Sequence, residues 1–345
     1  MMRLGNDLIQ RASNYLHYRF TPRALILLYH RVVDLPFDPQ LLSVAPQHFD
    51  EHLEILRRYT QPVPLQELAT AVQEDRLPRR GVAITFDDGY IDNLQHARPL
   101  LAHREIPATV FVTAGRLGRQ EEFWWDELER LLLQPGMLPA TLSLSIDGRD
   151  YNWELSKAAE YTEEDYQRYR EWHIELPDDP DPRHKLYRSL YQLLHSVTER
   201  ERRGIIENLQ TWAGKNPVCR PSHRSLTPDE VVLLAKGDLI EVGAHTMTHP
   251  ALASLPVARQ REEIVQSKSC LEEILDLPVN SFAYPHGSYA DETISLVREA
   301  GFGCACSSDA TVVLPGADGF RLPRFVVRDW DGEEFYRWLK GLISI

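Results

Sequence analysis

Val82-Ala83-Ile84-Thr85-Phe86-Asp87-Asp88-Gly89-Tyr90 sets an apolar run directly against two adjacent carboxylates and a glycine. The run reads as a buried strand, Val82–Asp87, and the acidic pair with its glycine as the strand's exit. Neighbouring side chains on a strand point to opposite sides, but at a strand end the chain can twist and aim both carboxylates inward. Two like charges placed together are costly unless a cation or a proton relieves them. A metal offers that relief, with one carboxylate as ligand and the other free as a base. On this stretch alone, an ordinary Asp-Gly turn is the plain alternative.

Working outward, strand-like runs recur at Leu25–His30, Ala108–Thr113, Leu239–His245, Ser281–Tyr284, Gly303–Ser307 and Arg321–Val327. Helical periodicity falls between them, at Gln47–Tyr59, Leu65–Glu74, Asn93–His103, Pro228–Lys236, Val257–Leu275 and Asp291–Ala300. Strand–helix alternation with short connections predicts an α/β fold built on a parallel sheet or barrel of seven strands. In such a barrel the C-terminal ends of all strands share one face, where active sites sit.

Several of those ends carry chemistry. Glu241-Val242-Gly243-Ala244-His245-Thr246-Met247-Thr248-His249-Pro250 follows one strand, and on a helical turn His245 and His249 face the same way. Two histidines and one carboxylate form a common ligand set for Zn2+ or Fe2+ with positions left for water and substrate. Leu28-Tyr29-His30-Arg31-Val32 places His30 on the same face, where an imidazole can protonate a leaving amine; a histidine bonded to backbone is the structural alternative. In Ser281-Phe282-Ala283-Tyr284-Pro285-His286-Gly287, Pro285 and Gly287 predict a tight loop whose backbone N–H faces an oxyanion. Alternation along Arg321-Leu322-Pro323-Arg324-Phe325 turns Arg324 inward, where it would hold Asp87 ionised; a surface salt bridge competes with that reading.

Between about Gln120 and Pro217 the rhythm breaks. Phe123-Trp124-Trp125-Asp126 opens this stretch, and a hairpin is expected from Thr141–Ile146 and Tyr151–Leu155 around Asp147-Gly148. An acidic, proline-rich loop follows, then one long amphipathic helix from His184 to Ala213. Trp124, Trp125, Trp153, Trp172 and Trp212 fall here, most of them expected to fill a small core, although aromatic faces also suit sugar rings.

The net charge of −13, from 38 basic and 51 acidic residues, argues against a nucleic-acid partner and makes a strongly anionic polymer a poor substrate. Cys219, Cys270, Cys304 and Cys306 form no CxxC pair and read as free thiols. Met1 to Phe20 reads as an amphipathic helix packed on its own domain, with peripheral membrane or partner contact as the alternative. With no secretion signal or transmembrane segment read, a cytoplasmic protein is expected; its oligomeric state is not legible.

Taken together, Thr85-Phe86-Asp87-Asp88-Gly89-Tyr90, His245-Thr246-Met247-Thr248-His249 and Phe282-Ala283-Tyr284-Pro285-His286-Gly287 resemble the polysaccharide deacetylase family, also called the NodB-homology domain or carbohydrate esterase family 4. The resemblance implies a distorted, TIM-like (β/α)7 barrel: an N-terminal helix over 1–22, barrel segments over 23–119 and 218–345, and a tryptophan-rich insertion over 120–217. It implies hydrolysis of the N-acetyl group of an amino sugar in a poly- or oligosaccharide or a glycan precursor. Asp87 would be the general base, and Asp88, His245 and His249 the ligands of a divalent metal, Zn2+ first and Co2+, Ni2+ or Mn2+ as alternatives. Tyr284 would supply an oxyanion N–H. An arginine-rich third motif and a late Leu-x-Leu-His, frequent in the family, are missing. The chain looks instead like the branch with an early Tyr-His-Arg-Val, which makes His30 the acid and His286 its rival. Tyr90, Pro285, His286, Trp124 and Trp125 are the candidate saccharide contacts.

Overall fold

Seven apolar segments pair in parallel along one curled sheet: β1 (Leu25–Tyr29), β2 (Gly81–Phe86), β3 (Ala108–Val112), β4 (Ile240–Ala244), β5 (Ser281–Ala283), β6 (Cys304–Cys306) and β7 (Phe325–Val326). Their order is β6-β5-β4-β3-β2-β1-β7, and a two-residue strand, Gln61–Pro62, also pairs with β2. The computed structural model describes residues 23–146 and 148–343. The helix expected over 1–22 and Asp147 of the hairpin turn lie outside the described residues.

Burial on both faces explains why these strands are continuously apolar. Leu25, Leu27 and Tyr29 of β1 and Val82, Ile84 and Phe86 of β2 join the core beneath the helices. The alternate positions Ile26, Ala83, Phe111, Ala283, Cys304 and Cys306 form the inner core. On β2 the inner parity therefore runs Ala83, Thr85, Asp87. The two ends of the sheet meet where Leu322 bridges Cys306, accepting from the Ser307 N–H at 2.8 Å and donating to the Ala305 carbonyl at 3.0 Å. The expected strand Arg321–Val327 shrinks to Phe325–Val326, because Pro323 brings no N–H to the ladder.

The expected helices form at Pro46–Tyr59, Leu65–Gln73, Pro228–Leu234, Val257–Leu275 and Asp291–Glu299. The run over Asn93–His103 becomes a π-helical turn, Asn93–Ala97, ahead of an α-helix, Arg98–Arg104, that has Pro99 in its first turn.

Residues 120–217 build a second core. The Trp124–Leu132 helix, the hairpin of Thr141–Ile146 with Arg149–Glu154, and two further helices enclose Trp125, Trp172, Leu128, Tyr187 and Leu190. The single helix expected from His184 to Ala213 is two, Pro182–Ser196 and Glu199–Trp212. Thr198 starts the second through a reciprocal cap with Glu201, a Thr-x-x-Glu signal that the amphipathic pattern had masked.

Candidate active site

The Asp87-Asp88-Gly89 exit of β2 divides its two carboxylates between different surroundings. Asp87 keeps the inward parity and meets Arg324, whose Nη1 and Nη2 donate to Oδ1 and Oδ2 at 2.7 and 2.8 Å. The same guanidinium donates to Thr85 Oγ1 at 3.2 Å and to the Ser307 carbonyl at 2.8 Å, so its plane is fixed. Burial would raise the Asp87 pKa, but the charge and hydrogen bonds of Arg324, with His245, outweigh it and hold the carboxyl at about 2.

Asp88 turns the other way because its backbone is left-handed, with φ +76. Gly89 continues the kink at φ +78, where a β-carbon would also press on Val112 at 3.2 Å. Asp88 Oδ1 then lies 3.1 Å from His249 Nε2 and 3.7 Å from His245 Nε2. Burial pushes the Asp88 pKa up.

The two histidines do not share a helical turn, as the spacing predicts, but lie in an irregular loop beyond β4. Left-handed residues at Thr246, φ +63, and His249, φ +60, fold that loop until the rings lie 4.8 Å apart. Glu263, on the Val257–Leu275 helix, braces it: its carboxylate accepts from the N–H groups of Met247 and Thr248 and from Thr248 Oγ1 at 2.6–2.9 Å. His245 Nδ1 lies 2.8 Å from the Ala283 carbonyl, which fixes that nitrogen as the donor and leaves the Nε2 lone pair toward Asp88. Non-glycine residues in the left-handed region cost about 1–3 kcal/mol each. Asp88, Thr246, His249 and His286 all sit there, a concentration of strain at this rim.

A divalent metal fits. Ligand atoms from Asp88, His245 and His249 all lie within 4.8 Å of one another in a buried cluster. Ligands about 2.1 Å from one ion sit roughly 3.0–3.4 Å from each other; the Asp88–His249 pair, at 3.1 Å, meets that spacing and the Asp88–His245 pair, at 3.7 Å, approaches it. Asp88 Oδ1 has no hydrogen-bond partner among the described residues, a vacancy that a bound cation fills.

Around the cluster opens a cleft of about 1010 Å3 reached by His30, Asp87, Tyr191, His195, His286 and Arg324, with an inner pocket of about 410 Å3 where Trp125 joins the ligands. His30 occupies the rim just beyond β1. Burial lowers its pKa, and the charges of Asp88 and Asp87 oppose that fall. His286 keeps an exposed face, but desolvation of its ring and the neighbouring His249 and His195 all act downward on its pKa. His286 holds φ +56 and packs on His249 and His195 with ring centroids 4.4 and 4.2 Å away.

Four expected contacts are placed elsewhere. The Tyr284 N–H, expected to face an oxyanion, donates to the Cys306 carbonyl at 3.1 Å as the sheet continues one residue past β5, and its hydroxyl donates to the Phe320 carbonyl at 3.0 Å. Tyr90 has no exposed surface to offer a saccharide: its hydroxyl donates to Asp126 at 2.7 Å and accepts from Trp125 Nε1 at 2.8 Å, with Arg31 over its ring. Pro285 is buried as well. Trp125 packs its ring 5.2 Å from that of His249, while Trp124 lines a different groove. Glu263, Tyr191 and His195 were not legible as site residues; Tyr191 and His195, one helical turn apart, carry no local signal beyond that spacing.

The polysaccharide deacetylase family profile matches residues 74–138 and 193–305, and the chain belongs to that family. YxkH of Bacillus subtilis (strain 168), assigned by name to the polysaccharide deacetylases, is 28% identical over 108 residues, which cover 31% of this chain and 37% of that protein. The match thus spans little more than a third of its length. Among solved structures, IcaB from Ammonifex degensii aligns with a TM-score of 0.57 at 20% identity, covering 92% of this chain and 97% of that one. The Streptococcus pyogenes deacetylase PplD, solved with acetate, aligns with a TM-score of 0.56 at 17% identity, covering 92% and 98%. These two likenesses establish the barrel fold. No helix among the described residues is long and apolar enough to cross a membrane.

Proposed function

We propose that the chain is a metal-dependent deacetylase that hydrolyses the N-acetyl group of an amino sugar in a saccharide or glycan precursor. The carrying observation is that Asp88 and two imidazoles converge within 4.8 Å while the adjacent carboxylate, Asp87, is held ionised by Arg324. Asp88, His245 and His249 would hold a divalent cation, Zn2+ by the donor set, which would polarise the acyl oxygen and acidify water, and that suits a base as weak as Asp87.

Asp87 accepts the proton of the attacking water, with Arg324 fixing both carboxylate oxygens. His30 donates a proton to the departing amine. It fits this role better than His286, because two carboxylates oppose the fall in its proton affinity whereas His286 sits among other imidazoles. Water adds across the amide, giving acetate and a free amine. The tautomer set by the Ala283 carbonyl keeps the His245 Nε2 lone pair on the ligand side throughout. We read residues 120–217 as an insertion that walls the cleft with Tyr191 and His195.

The test is acetate release from a panel of N-acetylated mono- and oligosaccharides, with and without chelator. Chelator-sensitive release from at least one sugar is expected. Release that survives complete metal removal would show that the Asp88–His245–His249 cluster is not the reacting centre.

A further inference from the structure

The ring of His30, the proposed proton donor, is pinned by no hydrogen bond: neither imidazole nitrogen has a partner among the described residues. His245, by contrast, is fixed through Nδ1 by the Ala283 carbonyl. A proton donor must lie within hydrogen-bond reach of the atom that it protonates, so control over His30 has to come through its backbone.

That backbone is held from the turn that follows β2. Asn93 Nδ2 donates to the His30 carbonyl at 2.9 Å. Asp92 takes the next two residues with its two oxygens: Oδ1 accepts from the Val32 N–H at 2.9 Å and Oδ2 from Arg31 Nε at 3.0 Å. Arg31 also donates to the Ser222 carbonyl and lies over the Tyr90 ring, which fixes its guanidinium. Arg31, Asp92 and Asn93 are all buried, where a charge-assisted hydrogen bond keeps its geometry. Asn93 opens the π-helical turn Asn93–Ala97, a distortion that recurs at functional sites. On the other side of His30 the Asp87 N–H donates to the Tyr29 carbonyl at 3.0 Å. Residues 87–93 thus carry the proposed base, a proposed metal ligand and the grip on the proposed acid.

We propose that Asp92 and Asn93 are positioning residues that set the reach of His30 to the departing nitrogen and tie the placement of the acid to that of the base. The proposal rests on the deacetylase reading with His30 as acid. When the C–N bond breaks, its electron pair stays on nitrogen, which takes the proton of His30.

The test uses the zinc-loaded full chain and its Asn93→Ala, Asp92→Asn, His30→Ala and His30→Ala/Asn93→Ala variants. Two substrates are compared: the N-acetylated saccharide that releases acetate fastest, and 4-nitrophenyl acetate. The amide nitrogen needs a proton to leave, whereas nitrophenolate leaves without one. His30→Ala sets the reference, losing far more amide than ester turnover. Asn93→Ala is expected to lower kcat on the amide about 10- to 100-fold, the scale of a misplacement of about 1 Å, with KM, zinc content and ester turnover little altered. Asp92→Asn keeps an acceptor for the Val32 N–H and is expected to show the same selectivity in weaker form, which covers a failure of Asn93→Ala to fold. Added to His30→Ala, Asn93→Ala should cost no further amide turnover. Equal losses on amide and ester, or a further loss in the double variant, overturn the positioning role. Equal losses in His30→Ala remove the acid assignment and this proposal with it, and leave the metal ligands and Asp87 standing. No acetate release from any N-acetylated saccharide sinks the deacetylase reading and the proposal together.

Discussion

Arg324 in the barrel and Arg183 in the 120–217 segment are both fully buried guanidinium groups, and they are closed in opposite ways. Arg183 donates to the carbonyls of Gln134, Gly136, Ala158 and Ala159, and burial draws its pKa down to about 10. Arg324 gives two of its donors to one carboxylate, and Asp87 drives its pKa up despite burial. A cation satisfied by backbone pins loops together. A cation satisfied by an acid at a strand end holds a chemical group ready, and here the neighbouring acid, Asp88, has no hydrogen-bond partner for Oδ1 among the described residues. The contrast is between two side chains: every guanidinium nitrogen of Arg183 donates to backbone, whereas Asp88 Oδ1 at the barrel rim is left open.

That contrast can be broken or sharpened by substitution. The largest effect is expected for His245→Ala, which should abolish both zinc retention and acetate release; zinc bound at unchanged stoichiometry would remove the ligand assignment. Asp87→Asn should keep the metal and lower kcat by about 10²–10⁴-fold, the range for a positioned acid or base, with zinc content and initial rates as the two readouts. Arg183→Met should leave metal affinity intact but cost about 3 kcal/mol of stability, since orphaned buried acceptors cost roughly 1–3 kcal/mol each. Denaturant unfolding measures this, and an unaltered midpoint would contradict the pinning role. Glu263→Gln should weaken zinc binding by about 10-fold, as for supports behind metal ligands; competition with a chromophoric chelator reads it.

The smallest effect concerns pH. His52 is buried between the Tyr29 hydroxyl at 3.3 Å and the Trp330 carbonyl at 2.7 Å, and burial lowers its pKa to about 4. The folded chain therefore resists protonation that the unfolded chain accepts near 6.5. This contribution is complete above pH 6.5 and is lost as pH falls toward 4, about 1 kcal/mol by pH 5.5. Thermal unfolding at pH 7.5 and 5.5 should show the loss, and His52→Gln should flatten it.

Much of the site was legible because its chemistry sits where strands end. The apolar run before Asp87, the spacing of His245 and His249, and the alternation that turns Arg324 inward are local patterns. They survive translation into structure because a strand's two faces are set by parity alone. Local pattern and structure part where a second partner intervenes. The resemblance implies an oxyanion donor at Tyr284, but the sheet runs one residue further and takes its N–H. Tyr90 beside the acidic pair suggests a sugar contact, but Asp126 and Trp125 arrive from elsewhere in the chain to bury it. The helical turn expected for the His-x-x-x-His loop gave way to two left-handed residues held by Glu263, whose role has no sequence signal because helix surfaces are full of glutamates.

Read alone, the chain specifies which groups exist and at which strand exits they emerge, because hydrophobic period and turn chemistry act over a few residues. Tertiary packing decided which groups meet. It converged Asp88 with two imidazoles from a distant loop, set Arg324 on Asp87, and folded Tyr191 and His195 over the cleft. Those contacts depend on left-handed kinks and helix docking that only the assembled core can hold against their local cost.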